Sequence, residues 1–490
     1  MQIISNVGAN NSNKTSISTL GFTKDQEKAY NELITFINDD YNENDYKRAL
    51  VGPAGTGKTY LVKALIKNCN LSYSMIGLAA PTHKACRVLH ESINLPNIKP
   101  NTLQSDLGLR LNFDVEKFDI TNPPFDPKGR IKIGDYKVYI VDEASMINRG
   151  LTMFLEKTCK SNKCKIVFIG DDAQLSPVSE KYSSALRNIK TYKLNEIVRQ
   201  ESDNPIMYLL NLLRYDIEHK TFTFLEYISK NKEHFDSDNT KGYRVCTPRE
   251  FEEVVYNNFN DEELTRNVDF AKVIAYTNLA VSGWNKFIRG SIIKDADKSV
   301  ITKNDLIISY TTIVDKFNSP VIKNSEEYII KDIVNFTHPK YELKGFLVRF
   351  QAIHGGQITA PLFILDHKDN FTIQRYISIS ANMIEAAKSA SVKIRSQRWR
   401  DYYAFKESCL LLTNVITKDG KSLYTRDLDY GFSLTSHKSQ GSTFDTSLVD
   451  VNDIVYDKFG HPYGDVEEVN RRLYVAASRC KNKLYLKYGN

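Results

Sequence analysis

At 490 residues the chain is too long for one compact core, and at roughly 150 residues per domain two to four domains are expected. Hydrophobic residues are 41% and charged residues 26%, an ordinary globular composition, and no apolar run approaches the ~20 residues that span a bilayer. A net charge of +7 is modest for this length and leaves nucleic-acid binding open.

Residues 1–20 are rich in Asn and Ser and read as a disordered tail, without the basic region and apolar run of a signal peptide. The seven cysteines are scattered without a C-x-x-C pair, which argues against a zinc site and a disulfide framework. A reducing, cytoplasmic setting is expected. From about residue 22 helix and strand alternate: "KDQEKAYNELITFIND" has helical period, "RALVG" is a short strand, and "TYLVKALIKN" is a helix. "MIGLAAPTH", "KVYIVDEAS" and "CKIVFIGDDAQL" are apolar runs of strand length, the last two ending in carboxylates. Such runs separated by helices predict an α/β fold with a parallel sheet whose ligands bind beyond the strands' carboxyl ends. The interval of about 106–135, with "PPFDPKGR", is too irregular for a sheet helix and reads as a small insertion.

A second α/β run starts near residue 245 with "AKVIAYTNLAVSGWNKFIRG" and resumes in "YGFSLTSHKSQGSTFDTSLVDV" and "RRLYVAASRCKNKLYLKY". Between them lie β-type segments ("EEYIIKDIVNF", "KGFLVRFQAI", "APLFILDH") as in a small barrel, then a basic helical stretch with Lys388, Lys393, Arg395, Arg398, Trp399 and Arg400. That stretch is either a contact for a displaced strand or a brace, or else a solvated helix face. The expected organisation is a tail at 1–20, a first α/β domain at 21–200 carrying the insertion, a second at 201–300 and 420–490, and an inserted β-barrel and helical domain at 301–419.

The stretch Gly52, Pro53, Ala54, Gly55, Thr56, Gly57, Lys58 and Thr59 matches G-x-x-x-x-G-K-[ST] in full. Its glycines let backbone N–H groups and the next helix's N-terminus face phosphate oxygens, with Lys58 on the β- and γ-phosphates and Thr59 on Mg²⁺. Asp142 at a strand end would reach the same Mg²⁺, and Glu143 would orient or deprotonate the attacking water. Gln174 could sense the γ-phosphate or sit in a solvated turn, and Arg199 and Arg479 are candidate cations for transition-state charge or plain surface arginines.

In order and wording, "GPAGTGKT", "AAPTHKA", "VDEASM", "GDDAQLSPV", "LTSHKSQGST" and "YVAASR" resemble motifs I, Ia, II, III, V and VI of superfamily 1 helicases, most closely subgroup B, the RecD-like and Dda-type phage helicases. The resemblance implies two RecA-like domains with an SH3-like barrel inserted in the second, and an ATP site of Lys58, Thr59, Asp142, Glu143, Gln174, Arg199 and Arg479. It gives Gln26 the role of reading the adenine edge, chemistry a carboxamide can do, though an exposed helix residue is the other reading. Pro81, Thr82, His83, Thr102, Thr435, His437, Lys438 and Gln440 are implied to lie beneath a single DNA strand, contacting phosphates. Phe113, Phe118 and Phe125 are candidates for a duplex-splitting pin or for packing of a small hairpin. Two departures stand out: Gln104 where relatives often have His, and "KNSEEY" in place of the usual Asn-Gly turn opening the barrel. The implied activity is ATP-dependent 5′ to 3′ helicase action on single-stranded and forked DNA, by a monomer that could meet a single-strand-binding or replisome protein. Its rivals are a DNA-stimulated ATPase that remodels protein–DNA complexes and an RNA helicase.

Overall fold

The computed structural model describes residues 18, 21–109, 130–177, 180–196, 204–294, 296, 298–315, 319–353, 356–416 and 422–489. They divide between Met207 and Tyr208 into two compact units. In the first unit helix Lys24–Asn38 opens with a capping box, in which the Thr23 side chain accepts from the Gln26 N–H and the Gln26 side chain accepts from the Thr23 N–H. The helix ends on Lys165, a buried lysine whose ammonium donates to the carbonyls of Phe36 (2.7 Å) and Ile37 (3.2 Å).

Six parallel strands follow: β1 (Lys47–Val51), β2 (Ile76–Ala80), β3 (Asn101–Thr102), β4 (Val138–Val141), β5 (Lys165–Gly170) and β6 (Lys190–Lys193). Their order is β3-β2-β4-β5-β1-β6. Alternation sorts their side chains into two cores, with Leu50, Leu78, Ile140, Val167 and Ile169 on one face and Ala49, Ala79, Tyr139, Val141 and Phe168 on the other. Each large side chain so buried contributes about 1.5–3 kcal/mol, enough to fix the register. In that register Val51 lies beside Gly170 and Val141 beside Phe168, so the carboxyl ends of β1, β4 and β5 come together.

In the second unit β7 (Glu233–Phe235), β8 (Gly242–Cys246) and β9 (Ala271–Ala275) precede an insertion. The insertion runs through β10 (Leu306–Ser309), β11 (Ile313–Val314), β12 (Pro320–Ile322), β13 (Glu327–Thr337), β14 (Lys344–Ala352) and β15 (Leu362–Leu365). Helices Asn370–Ser389 and Val392–Ser408 come next, then β16 (Val415–Ile416), β17 (Ser422–Tyr424) and β18 (Leu428–Tyr430). The chain then returns through β19 (Ser433–Thr435), β20 (Phe444–Asp450) and β21 (Cys480–Lys487), giving the sheet β19-β9-β20-β21-β8-β7, parallel except at β7. These two sheets are the parallel α/β cores that the strand and helix alternation predicts.

The inserted sheet is antiparallel, in the order β15-β14-β13-β10-β18. Both of its edges bond to one short segment: Leu410 exchanges backbone hydrogen bonds with Phe363 and Leu365 at 3.0 Å each, and the Leu411 carbonyl accepts from Leu428 at 3.0 Å. Two buried ion pairs tie the insertion to the parallel sheet and its helix, Lys272–Glu327 at 2.6 Å and Arg289–Asp305 at 2.7 Å. Residues 391–398, the first turns of the basic helix, are exposed on every side. Among the described residues no helix is long and apolar enough to cross a membrane.

Candidate nucleotide and nucleic-acid sites

The loop after β1 curls tightly because its glycines adopt conformations other residues resist. Gly55 and Gly57 have φ of 85° and 78°, and a Cβ on Gly52 would meet the Leu194 carbonyl oxygen at 2.5 Å. Thr56 is fully buried and its hydroxyl donates to the Pro53 carbonyl at 2.9 Å, closing the loop from within. Lys58 opens helix Lys58–Asn68, and its ammonium rests on the loop's own carbonyls, Gly52 at 2.5 Å and Pro53 at 2.8 Å. Thr59 follows in the same first turn, half-buried, while Ala54 at the tip is exposed.

Gln26 is 1% exposed, so the exposed-helix reading of it is wrong. Its Nε2 donates to the Thr56 carbonyl at 2.8 Å while its Oε1 completes the helix cap at 3.1 Å. One carboxamide thus joins the first helix to the phosphate loop. Spacing could not show this, because the partners stand 30 residues apart.

Asp142 and Glu143 leave the end of β4. The Asp142 carboxylate accepts the Glu143 N–H at 2.9 Å. Burial pushes its pKa up, opposed by that hydrogen bond and by the nearby Lys58 ammonium. Glu143 has φ of 51°, a left-handed conformation that costs a non-glycine residue roughly 1–2 kcal/mol. After β5 the Asp171 side chain accepts the Ala173 N–H (3.0 Å) and its carbonyl the Gln174 N–H (3.2 Å), a tight turn that leaves Gln174 8% exposed.

The expected nucleic-acid threonines share one local geometry. Thr82, Thr102 and Thr435 each follow or end a strand, and each hydroxyl caps the next helix by accepting an N–H, from Ala85 (3.1 Å), Ser105 (3.3 Å) and Lys438 (3.1 Å). A capping hydroxyl keeps its own O–H to donate, as a phosphate oxygen requires. Pro81 is buried behind Thr82, His83 opens helix His83–Ile93, and Gln104, the departure from the usual His, is 8% exposed. In the second unit His437 is half-buried, its pKa lowered by burial and by Arg472, and Gln440 is 7% exposed.

Arg479 is 6% exposed, and its guanidinium donates to the carbonyls of Val475 (3.1 Å) and Ser442 (3.2 Å) and to the Ser478 hydroxyl (2.8 Å). It is therefore held by its own unit. Arg199, Phe113, Phe118 and Phe125 lie outside the described residues, as does most of the expected insertion at 106–135.

Sequence reasoning missed the supports of these loops. Asp453 accepts the N–H groups of Tyr276 (2.7 Å) and Thr277 (2.8 Å), fixing the chain after β9. Arg472 stacks on the Tyr276 ring at 3.5 Å. Lys438 donates to Ser325 Oγ at 2.9 Å and Asn324 Oδ1 at 3.3 Å and lies 4.5 Å from the centroid of Tyr310. The one sequence signal for that contact is the "KNSEEY" departure, since Ser325 takes φ of 65°, a conformation that favours glycine.

Comparison with known proteins gives a consistent picture. A model of the AAA domain family matches residues 23–229. An uncharacterized protein of Acanthamoeba polyphaga mimivirus is 24% identical, over 94% of this chain and 99% of its own length. The ATP-dependent DNA helicase dda of Enterobacteria phage T4 is also 24% identical, over 94% of this chain and 98% of its own. Among solved structures, the Pif1 helicase from Candida albicans is similar at 17% identity and a TM-score of 0.48, covering 96% of this chain and 94% of that one.

Proposed function

We propose that this chain, a superfamily 1 helicase related to the RecD, Dda and Pif1 types, hydrolyses ATP to move 5′ to 3′ along single-stranded DNA and to part the duplex at a fork. One observation carries the reading: a complete phosphate loop, braced by Gln26, shares its strand ends with Asp142 and Glu143, in a chain resembling dda along nearly its whole length. The 5′ to 3′ direction follows the subgroup resemblance.

The residues present suit ATP and Mg²⁺. Gly52, Gly55 and Gly57 let the backbone N–H groups curl around phosphate oxygens. Lys58 exchanges its bonds to Gly52 and Pro53 for the phosphates it neutralises. The Thr59 hydroxyl and Asp142 carboxylate are hard oxygen donors of the kind Mg²⁺ takes, and the ion supplies charge neutralisation for the departing phosphate. Glu143, on its left-handed backbone beside Asp142, would hold the attacking water and accept its proton. Gln174 is the γ-phosphate sensor and Arg479 a cation for transition-state charge; Arg199 and the pin phenylalanines keep the roles the resemblance implies. The inserted sheet, linked edge to edge through Leu410 and Leu411, is read as a small SH3-like barrel. Thr82, Thr102, Thr435 and Lys438 hold the sugar-phosphate backbone, so binding is sequence-tolerant and salt-sensitive.

The test is unwinding of duplexes bearing a 5′ or a 3′ single-stranded tail, with Lys58→Ala alongside and ATPase stimulation compared for DNA and RNA of equal length. Unwinding from the 5′ tail alone, lost in Lys58→Ala, is expected. DNA-stimulated ATPase without strand separation would replace this reading with remodelling of protein–DNA complexes, and stronger stimulation by RNA would make the substrate RNA.

A further inference from the structure

Lys438 stands in the loop assigned to the DNA backbone, yet the groups that aim its ammonium come from the inserted sheet, 113 residues away for Ser325. The turn before β13 offers two oxygens, Ser325 Oγ at 2.9 Å and Asn324 Oδ1 at 3.3 Å, and the residue after β10 offers the face of Tyr310 at 4.5 Å. Both oxygens are uncharged acceptors that orient the ammonium. Tyr310 is itself fixed: its hydroxyl accepts from Arg426 at 3.0 Å, that guanidinium lies 4.5 Å from the same ring centroid, and Arg426 is in turn tied to Asn278 (3.0 Å) and Asp429 (3.2 Å). Ser325 adopts φ of 65°, a conformation glycine would take without strain. A serine there gains a hydroxyl against its conformational cost, and that hydroxyl lies nearer the Lys438 ammonium than the Asn324 oxygen does.

We propose that Tyr310, Asn324 and Ser325 are positioning residues for Lys438, so that the inserted sheet sets how firmly this loop grips a nucleic-acid phosphate. The inference rests on the reading of Lys438 as a phosphate contact. It gives the insertion a part in DNA grip through a side chain of the parallel-sheet core.

The test is binding of a labelled oligothymidylate to the full chain across a salt series, for the parent, Lys438→Ala, Tyr310→Leu, Ser325→Gly, and each of the last two combined with Lys438→Ala. Lys438→Ala is expected to lower the slope of log affinity against log salt by about one. Tyr310→Leu and Ser325→Gly are each expected to weaken binding roughly threefold or more and to lower the slope in the same direction. Neither should weaken it further in the Lys438→Ala background, the mark of a shared interaction. Ser325→Gly should melt no lower than the parent, because glycine accepts that backbone, which separates lost aim from lost fold. An unchanged slope in Lys438→Ala would overturn the phosphate reading. A lowered slope there, with parental binding in Tyr310→Leu and Ser325→Gly or with effects that add to Lys438→Ala, would leave that reading standing and overturn the positioning role.

Discussion

Gln26→Ala tests whether the first helix truly braces the phosphate loop. The substitution removes the donor to the Thr56 carbonyl, in a residue with no exposure, and the acceptor that completes the helix cap. A buried carbonyl left without its partner costs about 1–3 kcal/mol, and the lost half of the capping box about 0.5–1 kcal/mol. The sum, about 1.5–4 kcal/mol, corresponds in a unit of this size to a fall in Tm of roughly 3–16 °C. Scanning fluorimetry of the full chain would follow the transition, with kcat/KM measured for ATP and GTP in parallel. If Gln26 acts by shaping the loop, both nucleotides lose efficiency together; if it reads adenine, the loss falls on ATP. Gln26→Glu keeps the cap acceptor but sets oxygen against the Thr56 carbonyl, so it should be destabilised as well. A Gln26→Ala chain that melts with the parent would refute the brace.

Glu143→Gln keeps size and hydrogen bonding but cannot take a proton, so hydrolysis should fall by about 10²–10⁴ while ATP and single-stranded DNA still bind, as single-turnover and filter-binding assays would show. Burial raises the Asp427 carboxyl to about 6 from an ordinary 3.8. A group whose folded pKa is raised binds more protons folded than unfolded, so stability falls as pH rises from about 4 to 6, by on the order of 3 kcal/mol. Asp427→Asn should flatten that decline in melting curves taken at pH 4 to 7, and an identical decline would assign it elsewhere. Lys272→Met removes the ion-pair partner of the Glu327 carboxylate, itself at 2% side-chain exposure, and should cost about 3–5 kcal/mol in urea unfolding, whereas pairing it with Glu327→Leu should recover most of the loss.

The glycine loop and the Asp-Glu pair were legible in the sequence because each is a contiguous segment whose chemistry depends on its own backbone, whereas Thr82, Thr102 and Thr435 came from the family resemblance. Gly52 to Thr59 curl around a phosphate wherever a strand delivers them to a helix, and apolar runs such as "KIVFIG" identify a strand buried on both faces. The two α/β cores and the intervening β segments follow from the same local periods. What tertiary structure alone decided is which distant groups hold those segments. Gln26 meets Thr56, Lys272 meets Glu327 across 55 residues, Lys438 meets Ser325 across 113, and Tyr276 meets Asp453 across 177. None of these pairs leaves a periodic trace, since a hydrogen bond between remote elements depends on strand register and on how a helix or inserted sheet packs, and those are fixed only when the whole unit has buried its apolar surface.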